Sequence, residues 1–511
     1  MHPIPNSRLI LGPPGCGKTY TLIEIVREAL ARGVHPSRIA FVSFTTKAIR
    51  EALDRACAEF NLEPKQLPNF RTLHATGYHA LGLQRTDVMA RADYKALGDM
   101  LGVEFSGADR TSVDDGIVLP TIGGSGAKYI QSVMRARYRE VSLALEYNEA
   151  EDYSLSYQKL VQVHEQNEEY KTKMGKQDFV DMIALYPVMA DPIHLDLLIV
   201  DEAQDLTPLQ WTMVRHMAET ASEVVIAGDD DQAIHRWAGV DVRQFLRCSE
   251  NIEVLSQSYR LPRSVWRLAK SITARIEDRI PKDFYPKDEE GSVQSLMRLG
   301  DAPMDQGSWT IMARTNSFCQ GIADKLEQMG YYYSVKGVPS VGAKLLQNMN
   351  TWKTLSLGGT VGLQFVRDLY GAVPKMGEGA LVRRGATKLL DAADPEAELG
   401  YGDLVTHYGW LGPQNMHVYD VLRVSKDEAR YIRALIARGE DLNREPRIKV
   451  STFHAMKGGE DDNCVVYLGS TWSCIETKYP DDEWRALYVA VTRTKENLYL
   501  LESDKKHRYY L

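Results

Sequence analysis

The sequence predicts an α/β protein with two parallel-sheet cores, each carrying a mainly helical insertion. Three observations predict it. Short apolar runs recur along the 511 residues, each ending in polar or glycine punctuation. Helical periodicity separates them, and two long zones carry helix-period sequence without such runs. Continuous Val/Ile/Leu runs suit parallel strands buried on both faces. Strands alternating with helices indicate open α/β sheets, in which ligands gather beyond the carboxyl ends of the strands.

The first core begins with "RLILG" and continues through "IAFVSF", "LLIVDE" and "VVIAGDD". After Thr19, the residues Leu22, Ile25, Val26, Ala29 and Leu30 share one helix face, and Gly33 is the expected cap. The second core uses "WTIMAR", "IKVSTF", "CVVYLG" and "LYLLES". Residues 1–81 and 175–250 form the first core, and 82–174 form its helical insertion, with a flexible interruption at "TIGGSGAK". Residues 251–340 and 446–511 form the second core, interrupted by a helical stretch at 341–445.

Composition is ordinary for a globular chain, 44% hydrophobic and 25% charged. A net charge of −8 gives no global positive field, so a nucleic acid would need a locally basic cleft. The six cysteines form no CxxC pair, which argues against a zinc site or disulfide framework and fits a reducing compartment. No apolar run approaches the ~18 residues of a membrane span. "MHPIPNSR" lacks the regions of a signal peptide. A soluble cytoplasmic protein with no membrane partner is expected.

"GPPGCGKT" matches the phosphate-binding pattern G-x-x-x-x-G-K-[ST] between a strand and a helix. Gly12, Pro13, Pro14, Gly15, Cys16 and Gly17 form the loop whose N–H groups face phosphate, and Tyr20 follows it. Lys18 reaches the β/γ oxygens, and the Thr19 hydroxyl holds Mg²⁺. The complementary carboxylates stand in "LLIVDEAQD": Asp201 for the metal shell and Glu202 to orient or deprotonate the attacking water. These residues predict an NTPase.

The wider motif set resembles the UvrD/Rep-type DNA helicases of superfamily 1, from Arg8 to about Leu500 and in family order. "IAFVSFTTKAIREAL" resembles motif Ia, "TLHATGYHAL" motif Ib and "DEAQDLTPLQ" motif II. "GDDDQAIHRWAG" resembles motif III, "LSQSYRLPRSV" motif IV, "VSTFHAMKGGEDD" motif V and "EWRALYVAVTRTKENLYL" motif VI. The family's "KGLEF" reads "KGGED" here, placing Asp461 where an apolar anchor is usual.

The resemblance implies two RecA-like P-loop NTPase domains, 1A and 2A, with insertions 1B and a reduced 2B. It implies ATP as the nucleotide, with Tyr259 on the adenine and Glu460 on the ribose. Gln232 would sense the γ-phosphate, while Arg260 and Arg493 would reach the nucleotide from a second domain and stabilise the transition state. Phe44, Thr45, Lys47, His74, His235, Trp237 and His454 fall in motifs expected to meet DNA. Lys375 lies in "AVPKMGEGAL", which resembles a glycine hairpin that touches duplex phosphates, and Tyr509 would close the track. The basic clusters "KYIQSVMRARYRE" and "VRRGATK" are further phosphate candidates.

The expected function is an ATP-dependent helicase that moves 3′→5′ on single-stranded DNA, acts at single/double-strand junctions and works as a monomer. Its expected setting is the cytoplasm of a bacterial or phage-infected cell. Stacking does not read the 2′-OH, so RNA stays open as a track. Two rival readings are a translocase that does not separate strands and a nucleotide-controlled loader or switch.

Overall fold

A computed structural model describes residues 2–105, 123–149, 154–191, 193–377 and 379–511. Thr121 and Ile122 of the "TIGGSGAK" interruption, and Glu378 of the glycine hairpin, lie outside them. The chain divides into two compact units, 1–291 with 476–492, and 292–475 with 493–511.

In the first unit the strands are β1 (Ser7–Leu11), β2 (Ile39–Ser43), β3 (Phe70–Thr72), β4 (Leu195–Asp201), β5 (Ala221–Gly228) and β6 (Asn251–Val254). They form one sheet in the order β3-β2-β4-β5-β1-β6, and every pairing is parallel. The apolar runs are continuous because both faces are covered. Leu9, Leu11, Val42, Val200 and Ile226 face one core together with Trp211 and Val214. Ile10, Phe41, Ile199 and Val225 face the other, against Leu22, Val26 and Ala29 of the helix Lys18–Ala31. That helix ends with Arg32 as the capping residue, and Gly33 takes the left-handed position after it at φ +88°. Residues 82–174 supply the helices Arg91–Leu101, Ala127–Tyr138, Leu143–Glu149 and Tyr157–Met174, with a small core of Tyr94, Leu97, Ile130, Val133, Leu160 and Val163.

The second unit holds β7 (Ser292–Leu296), β8 (Trp309–Ala313), β9 (Tyr333–Val335) and β10 (Val338–Pro339). The antiparallel pair β11 (Thr360–Gly362) and β12 (Glu398–Gly400) forms a separate two-stranded sheet, followed by β13 (Ile448–Thr452), β14 (Asp461–Tyr467) and β15 (Thr494–Leu501). The main sheet runs β10-β9-β13-β8-β14-β15-β7 and is parallel except for the edge strand β10. The segment 341–445 packs its helices around Trp352, Leu355, Val366, Tyr370 and Trp410. The two parallel sheets are the two parallel-sheet α/β cores that the sequence predicts.

The contact division does not follow the expected boundary at residue 250. The segment after β6, through Gly291, stays with the first sheet, as does the helix Pro480–Val491. Among the described residues, no helix is long and apolar enough to cross a membrane.

Candidate functional site

The loop after β1 is held at both ends. The Gly12 amide donates to the Gly228 carbonyl at 2.9 Å, and Gly17 caps the following helix at φ +78°. Gly12 lets Lys18 fold back over the loop, since a Cβ there would sit 2.9 Å from Lys18 Cδ. Gly15, at φ +74°, meets a second segment of chain. A Cβ on it would lie 2.3 Å from Arg260 Cβ. The Tyr259 amide donates to the Gly15 carbonyl at 2.8 Å, and Ser258 Oγ donates to the Pro14 carbonyl at 2.6 Å. The sequence places Arg260 in a second domain. The structure corrects this: Arg260 belongs to the same compact unit as the P-loop and lies against it. Tyr259, in that docked segment, is 73% exposed, with an open ring face.

Lys18 Nζ donates to Asp201 Oδ1 at 2.8 Å and also to Glu202 Oε1. Burial alone would push the Lys18 ammonium down. Asp201 and Glu202 outweigh it, so its pKa stands above the ordinary lysine value. Asp201 closes β4 and is buried, and Glu202 follows in the left-handed region at φ +53°. Thr19 stands in the first turn of the helix after the loop. A glycine cradle that a Cβ would fill, a hydroxyl, and a carboxylate bonded to the loop's lysine fit a nucleotide and the hard divalent cation that accompanies it. Burial pushes the Cys16 thiol up to about 12, against the lowering pull of Lys18.

A glutamine that sequence reasoning missed ties these carboxylates to the next motif. Gln204 Nε2 donates to Glu202 Oε2 at 2.6 Å, and Gln204 Oε1 accepts the Asp229 amide at 3.1 Å. Its oxygen lies where a Cβ on Gly228 would be, at 2.2 Å, so that glycine is required for the approach. Asp229 Oδ2 in turn accepts from Gln232 Nε2 at 2.7 Å. The "DEAQ" spelling carried this signal, but the partner stands 25 residues away. Gln210, by contrast, caps its own helix through the Thr207 amide at 2.9 Å.

Five residues beyond Gln232 the chain reaches Trp237, which is 58% exposed. The rings form a tier. Phe44, at the end of β2, stacks on His235 with centroids 5.7 Å apart and planes 22° apart. His235 then meets Trp237 edge-on at 6.0 Å. Arg236 is anchored by Asp482 at 2.6 Å and lies over the Tyr479 ring at 4.3 Å. Thr45 caps the helix Thr46–Phe60 by accepting the Ala48 amide at 3.2 Å, and Lys47 is exposed on its first turn.

Three expected DNA contacts are corrected. Phe44 is 8% exposed, packs in the first core and stacks its ring on His235, so it supports that ring rather than meeting a base. His74 is 1% exposed and shares a hydrogen bond with Tyr138 Oη at 2.9 Å. Its ring is part of the core, and burial lowers its pKa to about 4. Tyr509 is 3% exposed and packs against Phe453. The cluster "KYIQSVMRARYRE" is also spoken for. Arg135 and Arg139 both pair with Glu146 at 2.7 Å, and Arg137 pairs with Asp178 at 3.0 Å.

The remaining candidates stand in the second unit. Arg493 is 2% exposed and donates to the Gly459 carbonyl at 3.2 Å, next to exposed Glu460. Asp461, the unusual acid, is buried; its carboxylate accepts from Thr310 Oγ1 at 3.0 Å and from Lys449 at 3.3 Å. His454 is half-buried after β13. Lys375 is exposed on a turn closed by the Leu381 amide donating to the Pro374 carbonyl, with Gly377 and Gly379 both at positive φ.

Residues 1–253 match the family described as UvrD/REP helicase N-terminal domain. The chain is 24% identical to the ATP-dependent DNA helicase PcrA of Bacillus subtilis, over 73% of this chain and 54% of that protein. It is 22% identical to the putative ATP-dependent DNA helicase YjcD of the same organism, over 96% of this chain and 76% of that protein. It is 23% identical to DNA helicase II of Haemophilus influenzae, over 56% and 41%. The chain thus spans about half the length of PcrA and about three quarters of YjcD. A phosphate-binding loop, an acidic pair and a glutamine-bearing loop, joined in one unit within residues 1–253, are what this part of the chain has in common with the UvrD/REP helicase N-terminal domain.

Proposed function

We propose that this chain is an ATP-driven motor that moves 3′→5′ along single-stranded DNA and opens duplex at a single/double-strand junction. The observation that carries the reading is the connection Glu202–Gln204–Asp229–Gln232. It runs from the catalytic carboxylate to the loop bearing His235 and Trp237. A strand stacked on Trp237 and a nucleotide on Lys18 would therefore act on one short loop.

In this reading the P-loop amides and Lys18 bind the phosphates of ATP. Lys18 then exchanges its carboxylate partners for phosphate oxygens, which frees Glu202 to take a proton from the attacking water. Thr19 and Asp201 would hold Mg²⁺, which when bound neutralises charge on the phosphate oxygens. Gln204 fixes the Glu202 carboxylate by donating to its second oxygen, leaving the first for the water. Arg260, presented at Gly15, and Arg493 supply donors for the charge that develops on the transferred phosphoryl group. Tyr259 offers its exposed ring to the adenine and Glu460 its carboxylate to the ribose. His235 and Trp237 hold bases by stacking, which is tolerant of sequence, and buried Phe44 backs the His235 ring.

The test is strand separation with forked substrates. A duplex bearing a 3′ single-stranded tail should be unwound in ATP, and one bearing only a 5′ tail should not. ATP turnover stimulated by the strand without unwinding would assign a translocase, and turnover indifferent to any strand would leave a nucleotide-controlled switch. Replacing the tail with RNA reads the sugar preference.

A further inference from the structure

Three consecutive aspartates, Asp229, Asp230 and Asp231, follow β5, and all three are buried. Carboxylates taken out of water cost several kcal/mol each unless they are paired. The fold supplies Lys282, whose side chain has no exposed surface. Its Nζ lies 3.2 Å from Asp229 Oδ1, 2.5 Å from Asp230 Oδ1 and 2.8 Å from Asp231 Oδ2. Arg279 grips Asp231 with Nε at 2.8 Å and Nη2 at 2.7 Å. The Ile280 amide donates to Asp230 Oδ2, and Arg485 Nε donates to the Asp230 carbonyl, both at 2.9 Å. Burial alone would lower the Lys282 pKa, but the three carboxylates outweigh it and keep the side chain charged.

The three acids are not equivalent. Asp230 and Asp231 are consumed by the cage. Asp229 turns one oxygen toward Lys282 and the Asp231 amide and the other toward Gln232 Nε2 at 2.7 Å. Its own amide is the group that Gln204 holds. The cation therefore fixes the carboxylate that fixes the glutamine, from a position no substrate can touch.

We propose that Lys282 is a positioning residue for Gln232, holding that amide through Asp229 in the orientation from which it relays nucleotide state to the Phe44–His235–Trp237 tier. The inference rests on the reading of Gln232 as the γ-phosphate sensor. Without Lys282, Asp229 would draw a proton or a water, and Gln232 would lose its fixed acceptor.

The experiment measures steady-state ATP turnover of the full chain, with saturating single-stranded oligonucleotide, in Lys282→Met, Gln232→Ala and the double variant. Lys282→Met should lower kcat by at least about tenfold, as loss of an oriented donor does, while KM for ATP changes by less than about twofold. In the Gln232→Ala background the same change should cost nothing further, because residues that act as one unit are not additive. Additive losses, or an unchanged kcat in Lys282→Met, would overturn the proposal. Should Lys282→Met fail to fold, Lys282→Met with Asp230→Asn lowers the buried negative charge without touching Gln232, and the same two readings decide. If Gln232→Ala alone leaves turnover intact, the sensor reading falls and takes this inference with it. If Gln232→Ala is impaired while the Lys282 variants turn over normally, only this inference falls.

Discussion

Arg260 packs against Gly15 so closely that a methyl group on the glycine would sit 2.3 Å from Arg260 Cβ. A residue 245 positions downstream thereby becomes part of the phosphate loop's wall. Gly15→Ala combines this clash with a left-handed φ of +74°. The backbone strain alone is worth about 1–3 kcal/mol. We expect a lowered melting temperature and loss of nucleotide affinity, measured by thermal unfolding with and without ATP. Gly33→Ala is the control. Its φ is +88° but nothing lies within 4 Å of the added methyl, so it should lose stability without losing nucleotide.

Lys18 and Glu202 should separate binding from chemistry. Lys18→Ala removes the phosphate ligand and leaves Asp201 buried beside Glu202 without the ammonium, so ATP affinity and turnover should both collapse. Glu202→Gln keeps the shape and the Gln204 neighbour, so ATP should still bind while kcat falls by about 10²–10⁴-fold. Nucleotide titration alongside a phosphate-release assay distinguishes the two. Brisk hydrolysis by Glu202→Gln would remove it as the base.

Trp237→Ala should weaken single-strand binding by about 1–3 kcal/mol, the worth of one stacked base. Basal nucleotide binding should be spared. Fluorescence anisotropy of a labelled oligonucleotide measures this. An unchanged affinity would place the track elsewhere.

His74 makes a stability prediction rather than a DNA prediction. Burial, opposed by the Asp178 charge, lowers its folded-state pKa to about 4, against the ordinary unfolded value of about 6.5. Between those values the unfolded chain binds the extra proton and the folded one does not, so stability rises with pH across that window. The loss on acidification from about pH 6.5 to pH 4 should approach 3 kcal/mol. Urea unfolding at several pH values should show this slope, and His74→Phe should flatten it while leaving oligonucleotide affinity at neutral pH unchanged. A slope that survives the substitution would assign the effect to another group.

Cys16 should be inert despite its place in the phosphate loop. Burial holds its thiol near 12, so almost none is thiolate at neutral pH. Alkylation followed by mass spectrometry should label half-buried Cys474 well before Cys16. Rapid Cys16 labelling of the native chain would contradict the burial.

The parts of this molecule that read well from sequence are those whose partners are contiguous. The loop Gly12–Thr19 and the pair Asp201–Glu202 announce themselves because strand, turn and chemistry sit side by side, and the two parallel sheets follow from unbroken apolar runs. What failed to read was exposure and long-range pairing. His74 lies in a segment resembling motif Ib, and Tyr509 follows the last motif as the expected close of the track, yet one-dimensional sequence does not say which way a ring points, and both are buried. Arg260 looked distant because 245 residues separate it from Gly15, whereas the chain after β6 returns directly to the loop. Asp461 broke the expected apolar pattern, and only the fold reveals Thr310 and Lys449 as its partners. Lys282 gave no signal, because a lysine among polar neighbours ordinarily reads as surface.

Arg493→Ala addresses the transition state. The side chain is buried and held at the Gly459 carbonyl, so its removal should leave ATP affinity largely intact. Turnover should fall by ~10³-fold or more, as for an arginine that stabilises the transferring phosphoryl group. Single-turnover kinetics with tight-binding controls measure this, and a mild loss would make Arg493 a structural anchor.

The central claim is that nucleotide chemistry and strand contact share the loop Asp229–Trp237. The most direct measurement is the rate of ATP hydrolysis with and without single-stranded DNA, in the native chain and in Trp237→Ala. The account predicts severalfold stimulation by the strand in the native chain and loss of most of that stimulation in the variant, at equal basal rate. Equal rates with and without the strand in the native chain, or full stimulation in the variant, would contradict it.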